Sequence, residues 1–242
     1  MVLSFLALLG TLAAPAPQDG EALIRQMHDR YAGKWYRTLT FVQKTTHEDG
    51  SIETWYEALR FPGLLRIDIA PIDSANVLLF RHDSIYVIRG GQTRPPQALV
   101  HPLMVLGFDV YSDPPETTIG KLKGLGFDLS KMREDTWQGR PVYVVGAAAG
   151  DTSSAQFWID QERLVFVRSI QPGQAGAIME TQFNKYQRLG EGWISPEVLF
   201  YRNGVVVTKE EYSDMRGDVP LAAALFDPKY AEPEWVTMPV RQ

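Results

Sequence analysis

Cysteine is absent from all 242 residues. That absence excludes disulfide frameworks, thiolate zinc sites, iron–sulfur clusters, cysteine nucleophiles and a lipid-modified N-terminal cysteine. Positive charge is also scarce: 24 Lys and Arg stand against 29 Asp and Glu, a formal net charge of −5. Nucleic acid and anionic membrane both need a basic surface, so neither is expected as a main partner. Long apolar runs are missing too. The longest, from Val2 to Ala14, falls short of the ~20 residues that span a bilayer and suits the core of a secretory signal. The expected division is therefore a signal peptide over 1–18 and one domain over 19–242, delivered soluble to the periplasm. No Lys or Arg precedes that run, which makes the signal atypical. The stretch Pro15-Ala16-Pro17-Gln18-Asp19-Gly20 reads as an unstructured mature N-terminus.

Catalytic signatures are lacking as well. No G-x-S-x-G, S-x-x-K, H-E-x-x-H or Gly-rich phosphate loop occurs. The four histidines, His28, His47, His82 and His101, stand far apart and offer no metal-ligand spacing. His101, ahead of Pro102, reads as a helix-edge histidine paired with a neighbour. Asp109 to Asp113 lacks the further ligands and the glycine of a calcium loop. Glu53 or Glu57 could meet Glu180 across strands, but carboxylates on exposed strand faces are ordinarily solvated. No enzyme, metal or cofactor is expected.

What is present is apolar and aromatic: 45% hydrophobic residues, among them six Trp, ten Tyr and eleven Phe. Leu23, Met27 and Tyr31, with Ile24 and Trp35 beside them, form one stripe of a helix capped by Asp19 or Gly20. Short β-prone runs follow at 39–44, 52–61, 65–69, 76–80 and 85–89, divided by tight turns. Two apolar stretches without alternation, 98–108 and 117–125, predict short helices. Strands then resume at 131–137, 140–146, 155–160, 165–170, 179–189, 193–201 and 205–214. Gln138-Gly139 and Asn203-Gly204 mark hairpins, Asn-Gly being the strongest short-range signal of one. A last apolar turn covers 221–226. The reading is a mainly β (α+β) protein: a curved, half-open antiparallel barrel of about 11 strands, with an N-terminal helix and a short helical insertion on the concave side.

Leu65, Ile67 and Ile69 alternate with Leu64, Arg66 and Asp68, which turns one face inward. The inward face allows two readings, a filled core or a lined cavity for an apolar ligand. Burial is worth ~0.8 kcal/mol per CH₂, so an acyl chain of ~16 carbons gains on the order of 10 kcal/mol before ordering costs.

Several segments taken in order resemble the LolA-like outer-membrane lipoprotein carriers, a lipoprotein-sorting family. They are Thr40-Phe41-Val42-Gln43-Lys44, Asp49-Gly50-Ser51, Trp55 and Leu59-Arg60-Phe61-Pro62-Gly63-Leu64-Leu65-Arg66-Ile67. Asp83-Ser84-Ile85-Tyr86, Phe157-Trp158-Ile159-Asp160 and Leu225-Phe226-Asp227-Pro228 continue the series. The resemblance implies an unclosed barrel whose concave face holds helices and receives lipoprotein acyl chains in the periplasm. On that reading Phe41, Trp55, Leu65, Ile67, Ile69, Phe80, Phe157, Phe183 and Phe200 line the lipid cavity, and Leu103, Leu106 and Phe108 form its lid. The partners are a lipid or the acyl chains of a lipoprotein, with room for handover proteins at the inner and outer membranes; the protein itself is expected to be a monomer. Two features depart from the family. The arginine that precedes the proline in the carriers is Phe61 here, with Arg60 one place earlier and therefore on the opposite face. The strands over 180–214 are also longer than a minimal carrier needs. The same architecture serves lipid-sensing and protein-docking modules of the cell envelope, which is the alternative function.

Overall fold

The computed structural model describes residues 15–230. The proposed signal-peptide core lies outside the described residues. Helix α1 spans Gly20–Tyr31, and the Asp19 side chain caps it by accepting from the Ala22 amide at 2.8 Å. The stretch before it is less free than the sequence suggests: Pro17 is buried, and the Pro15 carbonyl accepts from Gln26 Nε2 at 2.7 Å.

Five strands follow: β1 (Thr38–His47), β2 (Ile52–Arg60), β3 (Leu64–Ile69), β4 (Asn76–Arg81) and β5 (Ser84–Arg89). Two-residue strands β6 (Gln92–Thr93) and β7 (Gln97–Ala98) finish this half. Helices α2 (Pro102–Gly107) and α3 (Pro115–Gly124) form the insertion, joined by a 3-10 turn at Asp109–Tyr111. The second half contains β8 (Met132–Trp137), β9 (Arg140–Val145), β10 (Gln156–Asp160), β11 (Phe166–Pro172) and β12 (Ile178–Asn184). It continues through β13 (Gln187–Leu189), β14 (Gly192–Ile194), β15 (Glu197–Arg202) and β16 (Val205–Gly217).

The pairings are antiparallel and the main sheet has fourteen strands, in the order β6-β5-β4-β3-β2-β1-β16-β15-β12-β11-β10-β9-β8, with β7 on β5. First and last long strands are thus neighbours at the centre, while β6 and β8 lie at opposite ends of an unclosed sheet. The sixteen strands among the described residues exceed the twelve runs read from the sequence because the sheet gains the two-residue β6 and β7 and because two apolar runs are interrupted. The run over 179–189 breaks at Lys185, which has φ 60°, and the run over 193–201 breaks at Ser195 and Pro196. The pieces released, β13 and β14, pair only with each other. Their hairpin packs on the end of α1, where Tyr36 donates to the Trp193 carbonyl at 3.0 Å. A Cβ on Gly192 would lie 3.0 Å from the Trp35 ring, tighter than ordinary contact, so any larger residue would have to displace the ring. The two predicted hairpins have positive φ at both central residues, Gln138-Gly139 and Asn203-Gly204, as a primed turn requires.

This strand order explains where the helices lie. The chain leaves the β5 edge and must reach the β8 edge, so residues 99–131 cross the concave face. Aromatic rings hold that crossing down. Trp35 stacks on Tyr111 at 3.8 Å, Tyr36 meets Phe61 at 5.7 Å, Phe61 stacks on Phe108 at 5.6 Å, and Phe108 meets Phe183 at 6.4 Å. Much of the aromatic content therefore anchors helices to the sheet.

The convex face is covered too. Leu225 and Phe226, in a 3-10 turn at Ala223–Phe226, bury Ala58 and Leu79. Beneath this C-terminal strap Arg66 is fully buried. Its guanidinium grips Asp68 through two bonds of 2.7 and 2.8 Å and donates to the carbonyls of Leu225 and Tyr230.

Candidate functional site

Between the concave face and α2 lies a cavity of about 270 Å³. The registers assemble its floor. Phe41 of β1 faces Glu57 of β2, which faces Ile67 of β3, which faces Leu78 of β4. The next inward row is Leu59, Leu65 and Phe80. β16 contributes Glu210 and Tyr212, β15 Phe200, and β12 Phe183. His101, Leu103, Met104 and Phe108 close the top.

Nine of the twelve residues assigned to cavity and lid from the sequence lie in this lining: Phe41, Trp55, Leu65, Ile67, Phe80, Phe183, Phe200, Leu103 and Phe108. Three do not. Ile69 shares the inward face of β3 but sits opposite Asn76 at the strand end, beyond the cavity. Phe157 is fully buried, edge-on to Phe127 at 5.3 Å, because the stretch after α3 already covers that part of the sheet. Leu106 is also fully buried and lies outside the lining.

The sequence reading missed the polar part of the wall. Glu57 is 5% exposed and was expected to be solvated beside Glu180. Glu180 instead takes Arg168, at 2.7 and 2.9 Å. The Glu57 carboxyl faces the cavity with no hydrogen-bond partner among the described residues, and burial with the nearby Glu210 charge raises its pKa well above the usual carboxylate range. Burial pushes Glu210 up to about 7, offset in part by the Tyr212 hydroxyl, which donates to Oε2 at 2.7 Å. Glu210 keeps some accessible surface because it borders the cavity itself. Gln43 donates to Thr45 Oγ1 at 2.8 Å alongside. Period-two alternation places Glu57 and Glu210 inward; only their polarity argues against it.

His101 is not paired as expected. It occupies the N-cap position of α2, its Nδ1 is buried without a partner, its ring stands edge-on to Phe80 at 5.5 Å, and burial lowers its pKa to about 4. The lid is tied to the sheet at its other end. Asp109, after α2, accepts from the Gly63 amide at 2.9 Å, and burial raises its carboxyl to about 7. Arg60 lies on the convex side as the offset predicts: it donates to the Leu221 carbonyl and sits over the Phe226 ring. Phe61, directly before the proline, stacks on Phe108. No group of His, Asp and Glu among the described residues is arranged to hold a metal ion. No described helix is long and apolar enough to cross a membrane.

No protein-family model matches the sequence, and no curated protein is significantly similar to it. Solved structures do match in shape. A DUF1329 family protein from Desulfovibrio piger superposes with a TM-score of 0.57 at 15% identity, covering 88% of this chain and 98% of its own. A LolA superfamily protein from Nitrosomonas europaea gives 0.55 at 12% identity, with 86% and 97% covered. A domain described as an outer membrane lipoprotein-sorting protein, from Vibrio parahaemolyticus, gives 0.56 at 14% identity, with 84% and 94% covered. A half-open antiparallel sheet that carries helices on its concave face, superposing on these proteins over more than four-fifths of its length, is a LolA-like fold.

Proposed function

We propose that this protein is a periplasmic carrier or chaperone that holds an acyl chain of a lipid or lipoprotein beneath α2. The observation that supports this most is the cavity itself, walled by Phe41, Leu65, Ile67, Phe80, Phe183 and Phe200 and roofed by Leu103 and Phe108. At about 270 Å³ it lies just under the ~300–1,000 Å³ of drug-sized ligand sites, which suits one chain and not a multi-chain lipid. Transfer of a chain out of water supplies the affinity, and release needs only that α2 move. No cofactor takes part in such a cycle.

Native mass spectrometry of protein purified from the periplasm, followed by lipid extraction, tests the reading. A co-purifying lipid, or uptake of an apolar fluorescent probe by the delipidated protein, is expected. Neither one occurring overturns it.

The anchoring of the lid favours a second reading, a lipid-sensing module without handover. Phe61 on Phe108 and Asp109 on Gly63 hold α2 at both faces of the turn between β2 and β3. Ligand exchange separates the two: a carrier passes its probe to acceptor vesicles or an acceptor protein within minutes, whereas a sensor retains it.

A further inference from the structure

We propose that the cavity selects an amphiphile whose head donates hydrogen bonds, an ammonium, hydroxyl or amide N–H, and rejects one that ends in a carboxylate. This deepens the lipid-binding reading and rests on it.

The cavity is not uniformly apolar. Glu57 and Glu210 enter it from β2 and β16, the two strands that flank β1, near enough for the Glu210 charge to act on the Glu57 carboxyl. Glu57 is the informative one. It is 5% exposed, faces the cavity and has no hydrogen-bond partner among the described residues. A buried carboxyl left without donors is costly, and native proteins rarely keep one without a reason. On the opposite face of the adjoining strand the same protein gives the buried Asp68 an arginine. Among the described residues the cavity lining holds no Lys and no Arg. His101, its sole imidazole, is held neutral by burial, so the lining contains no cation to meet an anionic head.

The remaining polar groups leave the acceptor side open. The Tyr212 hydroxyl is committed to Glu210, the Gln43 amide to Thr45 and Glu210, and Trp55 Nε1 to Glu53, so Glu57 is the acid left without a donor among the described residues. A ligand that supplies a donor at this point completes Glu57; a ligand that supplies a second carboxylate places like charges together in a medium of low dielectric. An alkyl chain lying along Leu65 and Phe80 brings its head to the row where Glu57 stands between Phe41 and Ile67.

Displacement of diphenylhexatriene, a probe with no polar head, tests the inference with three ligands of one chain length at pH 8. Dodecylamine and dodecan-1-ol should displace the probe at concentrations at least tenfold below dodecanoate. In the Glu57→Gln, Glu210→Gln double variant the gap between amine and carboxylate should shrink at least tenfold, with the alcohol moving least because a glutamine oxygen still accepts. Circular dichroism establishes that the variant is folded, and the ranking in the unaltered protein stands as a test if it is not. Dodecanoate equal to dodecylamine in the unaltered protein, or an unchanged gap in the folded variant, overturns the head-group selection alone. Failure to take up diphenylhexatriene at all overturns the lipid cavity and the selection with it.

Discussion

Strands β2 and β3 carry buried charge on both faces, and the two faces treat it differently. On the convex side Arg66 and Asp68 pair through two short bonds, and the strap over 221–230 adds two carbonyl acceptors. On the concave side Glu57 is as deeply buried as Asp68 yet faces an open space. Where a carboxylate supports the fold, the fold surrounds it with donors. Where it faces a cavity, the donor is left to be supplied. The difference separates a structural ion pair from a candidate binding group without reference to any relative.

The sharpest way to break this comparison is to remove one acid from each face. Asp68→Ala leaves the Arg66 guanidinium buried without its counter-ion and should destabilise the protein by about 3–5 kcal/mol, read from the urea midpoint. Glu57→Gln should do the opposite at pH 8. It removes a buried carboxyl that has no hydrogen-bond partner among the described residues and whose charged form burial and Glu210 both disfavour, so it should stabilise by about 1–3 kcal/mol. Destabilisation by both substitutions alike would erase the distinction.

Titration offers a second approach. Glu210, raised to about 7 from its ordinary value near 4.5, binds more protons folded than unfolded between those limits. The stability that Glu210 contributes should therefore fall as pH rises from about 4.5 to about 7. One group shifted this far contributes up to about 3 kcal/mol. Asp109, also raised to about 7, adds a slope of the same sign, so Glu210→Gln should flatten the profile only in part. A slope unaffected by that substitution would place the titration elsewhere.

Ligand uptake probes the concave face alone. Leu65→Glu with Ile67→Glu puts two further charges on the floor and should lower diphenylhexatriene uptake at least tenfold while the Arg66–Asp68 pair behind it persists. The smallest effect belongs to the strap. Arg60→Ala loses a cation–π contact with Phe226 and a bond to the Leu221 carbonyl, about 1 kcal/mol in thermal or urea unfolding, without change in uptake.

The alternation of Leu65 and Ile67 with Arg66 and Asp68 was legible because period two assigns a side to every residue once one is known. For the same reason the offset of Arg60 from Phe61 correctly put the arginine outside. Phe157 and Leu106, assigned to cavity and lid from the sequence, lie buried outside the lining, because apolarity marks burial and not what a residue is buried against. Glu57 was overlooked because an acidic residue on a strand is usually solvated, and its inward position depends on pairing with Phe41 and Ile67.

Sequence by itself determined the elements of this protein: the capped first helix, the hairpins at Gln138-Gly139 and Asn203-Gly204, the two short helices and the inward face of β3. These rest on local dihedral preference and on the period of the side chains, which neighbours along the chain decide. Tertiary structure alone decided that β16 returns to lie beside β1, that residues 99–131 therefore cross the concave face, and that the strap over 221–230 closes over Arg66. It also decided that Glu57 and Glu210 border one apolar cavity. Those outcomes depend on pairings between residues more than a hundred positions apart, and no local pattern carries the free energy of a contact at that distance.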